Sequence, residues 1–542
     1  MRLSRTIAAA LITTLTAPPA LALAGEQTGT PAPEAAATPP EDPARARLKA
    51  EAIAGVERQG KLVQEMVDSV YSFAEPGFQE FQTMEYLTGI LAKNGFKIER
   101  GVAGMPTAWI ATWGNGGPLI ALGSDVDGLL GLSQMPGSPE LKPQVAGAPG
   151  HGEGHNSGMP LVIAAAIAAK QVMEKNKIPG RLLLWPGVAE ELIGAKAYYV
   201  RAGLFNGVDA CIFTHVASEF STAWGDTGNN AAVSVEYTFH GKTAHAAGMP
   251  WEGRSALDAV ELMNAGWNMR REHLPLSQRS HYVITDGGKQ PNIVPDTASV
   301  WYYFRDTAFA SVRHLFETGN TIAKAAASGT GTTVTQRTLG YAAPNFGNKP
   351  LAEAAWANIK AVGMPQWSAG DQAFAKSVQQ ANARELKPLA SEISPLSTPD
   401  TREKSTGGGS DDIGDVMWTV PTITVRYPSN IPNMIGHNVL SAIAMATPIA
   451  HKGAVQGAKA VSATVIDLMT TPALIAAAKT FQQTVQFKDQ RYDPLLTAED
   501  KPATHLNAEV MERMRPKQKP FYYDPAKHRS YLEQLKVAYP AQ

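Results

Sequence analysis

The chain has 542 residues, 44% of them hydrophobic and 18% charged, with a formal net charge of −1. That length divides into two or three domains with sizeable cores. The near-zero charge, with no basic patch, excludes long-range attraction to nucleic acid or to an anionic membrane surface.

Arg2 and Arg5 precede an apolar run from Ile7 to Leu23 that closes on Ala22-Leu23-Ala24. A charged start, a short apolar stretch and a small-x-small site describe a secretory signal peptide over residues 1–24. Pro18 and Pro19 interrupt the run, which argues against a membrane span. A periplasmic or secreted protein with no membrane attachment after cleavage is expected. Residues 25–45, rich in Thr, Pro, Ala and Glu, read as a flexible linker. The single cysteine, Cys211, excludes an internal disulfide and sits in a buried-strand pattern, as core filler and not as a nucleophile.

Residues 46–98 carry a helical period. Residues 108–113 and 118–123 read as strands, 161–172 as an Ala-rich buried helix, and 181–185 and 210–214 as short apolar strands. Strands alternating with helices predict an α/β domain with a mixed, largely parallel sheet. From residue 231 the texture changes to a β-α-β-β-α-β order of about a hundred residues, which predicts an inserted ferredoxin-like α+β lid. The expected organisation is a catalytic domain in two parts, 46–230 and 341–472, around a lid at 231–340. Within the second part, residues 366–409 read as a long irregular excursion, 419–425 as a strand and 442–469 as one helix. Residues 473–542, rich in charge and Pro, are expected to pack on the surface as a C-terminal extension.

Chemistry concentrates in His151-Gly152-Glu153-Gly154-His155-Asn156. A carboxylate and two imidazoles are ligands for Zn²⁺, Mn²⁺ or Co²⁺, and the flanking glycines let near neighbours converge in a loop. Ligands gather at the carboxyl ends of parallel strands, and further donors fall at such positions: Asp125 and Asp127, Glu190-Glu191 and His215. His437 lies in a loop ahead of the last long helix. No Cys₄ or Cys₂His₂ spacing exists, and the donor count fits two ions sharing a bridging carboxylate better than one structural zinc.

In chain order, Gly123-Ser124-Asp125-Val126-Asp127-Gly128-Leu129, the His151–Asn156 loop, Ala189-Glu190-Glu191, His215, Gly241-Lys242-Thr243-Ala244-His245-Ala246-Ala247, Pro291-Asn292-Ile293-Val294-Pro295 and Gly436-His437-Asn438 resemble the M20 metallopeptidase and amidohydrolase family, in its aminoacylase-like branch. The resemblance covers roughly residues 50–470. It implies a phosphorylase/hydrolase-like catalytic domain and a dinuclear centre in which Glu153 bridges two divalent ions, with His155, Glu191, His215 and His437 as the other ligands. It further implies Glu190 as general base, Asp127 as the carboxylate orienting a histidine ligand, His245 as the group polarising the scissile carbonyl, and Asn292 and Arg305 as substrate holders. Arg suits two-pronged carboxylate capture. A homodimer through the lid follows from the same resemblance.

Where that branch carries Cys, this chain carries Glu153. Oxygen in place of sulfur admits Mn²⁺ or Co²⁺ beside Zn²⁺. The expected activity is metal-dependent hydrolysis of the amide bond of an N-acyl or N-aroyl amino acid, with water as nucleophile. A dipeptidase or carboxypeptidase is the alternative with the same chemistry, and a silent binding subunit the alternative without it.

Overall fold

The computed structural model describes residues 42–402 and 408–540. The expected signal peptide, and the expected linker up to residue 41, lie outside the described residues. Helix α1 (Pro43–Arg58) starts inside the segment read as linker, with Pro in the first turn, where its missing N–H costs nothing. Arg45 ties it to Asp467 at 3.4 Å and donates to Thr471 at 3.0 Å. Next come α2 (Gly60–Phe73), α3 (Phe81–Lys93), β1 (Lys97–Arg100), β2 (Trp109–Asn115) and β3 (Leu119–Asp125). The glycine loop leads into α4 (Gly158–Asn176), followed by β4 (Gly180–Gly187), α5 (Lys196–Arg201), β5 (Ala210–Ala217), and the short β6 (Ser221–Thr222) and β7 (Gly225–Asp226).

The inserted unit comprises β8 (Ala231–His240), α6 (Ala256–Arg271), β9 (Arg279–Asp286), β10 (Thr297–Asp306), α7 (Phe309–Thr330) and β11 (Thr333–Ala342). The chain then returns through β12 (Phe346–Gly347), α8 (Lys349–Val362), α9 (Ala369–Ala381), α10 (Ile413–Met417), β13 (Thr422–Pro428), α11 (Val439–Ala442) and α12 (Pro448–Thr470). It finishes with α13 (Pro472–Phe481), α14 (Ala508–Gln518) and α15 (Tyr531–Leu535). Among the described residues no single helix is long and apolar enough to cross a membrane.

Seven strands form the main sheet in the order β1-β2-β4-β3-β5-β13-β6. Its centre, β4-β3-β5-β13, is parallel, and antiparallel pairings flank it on both sides. The parallel strands are near-continuous apolar runs because both faces are covered: α4, whose Leu161 to Ala166 are all fully buried, packs on β3 and against α1 and α12. Gly123 on β3 is required by a close approach, since a Cβ there would come 2.4 Å from the Trp185 ring. That ring in turn stacks on Phe213 of β5. The inserted sheet, β11-β8-β10-β9, is antiparallel throughout and is the ferredoxin-like arrangement expected. Its core sits under α6 and α7 around Trp267, Tyr302 and Phe304.

Three sequence expectations need correction. The excursion at 366–409 contains α9, started by a capping box in which the Ser368 hydroxyl accepts from Asp371 N and the Asp371 carboxylate accepts from Ser368 N. Phe374, Ala375 and Val378 of α9 bury into a satellite core. The single helix expected over 442–469 is two, α11 and α12, because Pro448 restarts the helix in its first turn and donates no bond back to a preceding one. The C-terminal extension is not merely superficial. Tyr531 is fully buried and donates its N–H to Asp68 at 2.9 Å, and Arg515 pairs with the buried carboxylate of Glu75.

Candidate metal centre

The carboxyl ends of β3, β4 and β5 open onto one cavity of about 270 Å³, lined among others by Glu153, Glu190, Glu191, His215, Arg305, Arg426 and His437. Each donor has a backbone cause. β3 runs out at Asp125, and Asp127 follows in the crossover. The glycine loop reverses the chain between β3 and α4 and turns Glu153 and His155 inward. A single helical turn at Glu190–Leu192 sits between Ala189 and Ile193, both in the left-handed region (φ 50° and 46°). Non-glycine residues hold that region only when their surroundings impose it, and here Gly77 closes on Ala189 so tightly that a Cβ would lie 2.8 Å from its Cα. His437, also at positive φ (52°), comes from the loop before α11.

Four sets of donors each have their atoms within 4.8 Å of one another: Asp125, His155 and His215; Glu153, Glu191 and His437; His155, Glu190 and Glu191; and Glu190, Asp411 and Asp412. His437 Nε2 lies 2.6 Å from Glu153 Oε2 and 3.2 Å from Glu191 Oε2. His215 Nε2 lies 3.9 Å from Glu153 Oε1, and the other nitrogen, Nδ1, faces the Val216 carbonyl at 3.0 Å. Asp127 accepts from Glu191 N at 3.1 Å through one oxygen, and its other oxygen stands 3.4 Å from His155 Nδ1. Glu153 touches both flanking histidines, as a bridging carboxylate would.

The test of whether these residues suit a cation is His155. It is 4% exposed, yet neither ring nitrogen has a hydrogen-bond partner, and Oε2 of Glu191 also lacks one. Buried polar atoms are almost always satisfied. A histidine and a carboxylate with atoms lacking hydrogen bonds, grouped within 4.8 Å in one donor set, suit a cation as ligands. The electrostatics agree. Burial and the Asp125 and Asp411 charges push Glu190 well above the usual carboxylate range, and burial with Glu153 and Asp127 nearby raises Glu191 to about 8. Burial opposes a charged His155, but Asp127, Asp125 and Glu191 outweigh it and hold the imidazolium well above its ordinary range. Burial and the Arg426 charge push His215 down to about 4. So many carboxylates around so few cations favour added positive charge.

The structure does not bring every expected residue to this cavity. His155 and Asp127 are buried next to the lining acids and are not themselves part of the lining. His245 and Asn292 sit together on the inserted unit, where Ala246 N donates to the Asn292 carbonyl at 3.1 Å, but both are exposed and neither lines the cavity. Arg305, on β10, does line it and donates to Ser410 at 3.3 Å.

Sequence reasoning passed over Lys196, Asp411 and Asp412. Lys196 is fully buried, with Nζ 2.7 Å from Asp125, in contact with Asp412 and 3.7 Å from Asp411. Asp412 also accepts from Lys196 N at 3.1 Å. The available signal was a lysine inside the otherwise apolar Ile193-Gly194-Ala195-Lys196-Ala197-Tyr198.

Residues 227–330 match the peptidase dimerisation domain of the M20 family. The chain is 33% identical over 437 residues to a subunit of the p-aminobenzoyl-glutamate hydrolase of Escherichia coli (strain K12), an alignment covering 76% of this chain and 90% of that protein. It is 29% identical over 380 residues to the Xaa-Arg dipeptidase of Mus musculus, covering 69% of this chain and 77% of that one. The fold is similar to that of the aminobenzoyl-glutamate utilization protein from Klebsiella pneumoniae, with a TM-score of 0.51 at 17% identity over 75% of this chain and 96% of the other.

Proposed function

Because the chain belongs to the M20 family and is a hydrolase acting on amide bonds, we propose that it cleaves N-acyl or N-aroyl amino acids with the help of two divalent ions. The observation that carries this reading is the pair of unpartnered ring nitrogens on buried His155, set among carboxylates. Glu153, as the bridge, with His155, Glu191, His215 and His437 would hold the ions. When bound, the ions supply the Lewis acidity that makes water nucleophilic at neutral pH and polarises a carbonyl. Zn²⁺, Mn²⁺ and Co²⁺ all suit a set built from oxygen and imidazole nitrogen.

Glu190 takes the proton from the attacking water and delivers it to the leaving amine. Its neighbour Glu191 serves as a ligand, and Asp127 fixes the orientation of His155. Arg305 takes the substrate carboxylate. His245, with Asn292 beside it, stabilises the oxyanion in the cavity of a second copy. The exposed apolar residues Met249, Trp251, Val283 and Ile284 on the inserted unit, and the position of β9 at the edge of its sheet, support a homodimer through that unit.

The similarity to a dipeptidase favours a second reading, hydrolysis of short peptides by the same residues. On the sequence features of residues 1–24 the protein is periplasmic or secreted, which cell fractionation tests. Metal analysis of the purified protein, then hydrolysis of N-acyl amino acids and dipeptides with and without chelator, tests the whole reading. Chelator-sensitive release of the free amino acid, restored by Zn²⁺, Mn²⁺ or Co²⁺, is the expected result. Protein that binds none of the three ions would overturn it.

A further inference from the structure

Among the described residues of 473–542, none supplies a donor to the metal centre or lines its cavity, yet the segment reaches the turn that carries Glu190 from two sides. That turn hangs between Ala189 and Ile193, both in the left-handed region, and such corners persist only where neighbours over-determine them. The first corner is held by the loop at residues 75–80. Glu80 Oε1 accepts from Ala189 N at 2.8 Å, and Gly77 packs against the Ala189 Cα. The second corner is held by β11, where Tyr341 N donates to the Ile193 carbonyl at 3.0 Å.

The C-terminal extension grips both holders. In the loop, Arg515 pairs with the fully buried Glu75 carboxylate and donates to the Gln79 carbonyl at 2.9 Å. Asn507 Nδ2 donates to the Gly77 carbonyl at 3.0 Å, and Gln79 Nε2 donates to the Leu506 carbonyl at 3.1 Å. On β11, Thr338 N donates to the buried Asp500 at 3.0 Å, at the point where the pairing with β8 shifts register. The Asp500 and Lys501 carbonyls accept from Arg201 at 2.7 Å and from Tyr198 at 3.2 Å, both on α5, the helix that follows the turn. A buried carboxylate that loses its cation must move towards water, and loop 75–80 would move with it. A proton carrier displaced by about an ångström can lose two orders of magnitude in rate.

We propose that the C-terminal extension is a positioning element for Glu190, with Arg515 and Asn507 fixing the Ala189 corner through loop 75–80 and Asp500 fixing the Ile193 corner through β11. The inference rests on the reading of Glu190 as proton carrier above.

Two measurements on the metal-loaded full chain separate a brace from a merely stabilising contact. Amide hydrogen exchange read by mass spectrometry follows the turn itself, in peptides spanning residues 187–194. Hydrolysis of N-acetyl and N-benzoyl amino acids follows its consequence. Arg515→Gln should speed exchange across 187–194 but not in β3, and lower kcat about ten- to a hundredfold with KM and metal content little changed. Arg515→Lys, which keeps the charge beside Glu75, should recover most of both. Asn507→Gly changes no charge and suits the left-handed φ of 64°, so it carries the test should Arg515→Gln fold poorly. Asp500→Ala should loosen the same peptides from the Ile193 side. Arg513→Gln, exposed on the same helix as Arg515, should alter neither measurement. Added to Glu190→Gln, Arg515→Gln should cost no further rate, because its effect passes through the missing carboxylate. Unchanged exchange at 187–194 in both Arg515→Gln and Asn507→Gly, or an equal loss of rate with and without Glu190, would overturn the brace. If Glu190→Gln keeps its rate, or no N-acyl compound is cleaved, the mechanistic reading fails, and the exchange alone decides whether the extension holds the turn.

Discussion

Two acidic clusters meet at the end of the parallel sheet, and they are built on opposite plans. Around Lys196, the ammonium reaches Asp125 and Asp412, and Asp412 also accepts a backbone N–H. Around His155, both ring nitrogens, Oδ1 of Asp127 and Oε2 of Glu191 have no hydrogen-bond partner. The first cluster carries its own cation and is a strut. The second leaves buried polar atoms without hydrogen bonds although His155 Nδ1 stands 3.4 Å from Asp127 and 3.9 Å from Glu191, an arrangement that suits an added cation. Glu190 sits where they meet, sharing the field of Asp125 and Asp411 with one and that of Glu191 with the other.

That contrast can be broken at several points. Glu190→Gln removes the proposed proton carrier and none of the five proposed ligands, so on that reading kcat should fall by about 10²–10⁴-fold while metal content by mass spectrometry stays unchanged. A near-normal rate would remove Glu190 from the mechanism. Lys196→Met leaves buried aspartates without their cation and should cost about 3–5 kcal/mol in denaturant melts. A loss under about 1 kcal/mol would mean the strut is not one. Chelation should lower the stability of wild-type protein by about 2.7 kcal/mol when the metal had been a hundredfold above its Kd. His155→Ala should abolish that increment, whereas Lys196→Met should keep it, and equal behaviour of the two variants would erase the distinction between the clusters. Ser368→Ala, at the α9 cap and outside both clusters, calibrates the scale: about 1 kcal/mol of stability, with metal content unaltered.

Much of this architecture was legible in the sequence because the parallel strands are buried on both faces. Runs such as Leu119 to Leu122 and Ala210 to Phe213 announce themselves as apolar blocks, each followed by its polar strand-end residues. The βαββαβ unit was legible for a different reason: its antiparallel strands bury one face and so alternate, as β10 does. What escaped depended on contacts between distant segments. α9 hid inside a stretch of Ser, Pro and Gly because only three of its apolar side chains, Phe374, Ala375 and Val378, bury in a core. Tyr531 looked like tail until Asp68 supplied its partner. Lys196 shows locally only as a lysine in an apolar stretch, and its partners are out of view: Asp125 lies 71 positions before it, and Asp411 and Asp412 some two hundred positions on. The cavity lining was half legible: the acids and imidazoles stand in recognisable motifs, whereas Arg426 reaches the site only through the pairing of β13 with β5.

Glu153, His155, Glu191 and His215 all precede the inserted unit, and His437 follows it. The donor set therefore cannot close while the polypeptide is only partly folded. The two halves of the main sheet must first dock, with β13 seated on β5, before the fifth donor reaches the other four. On the proposed ligand set, a chain without that docking brings together at most four of the five donors.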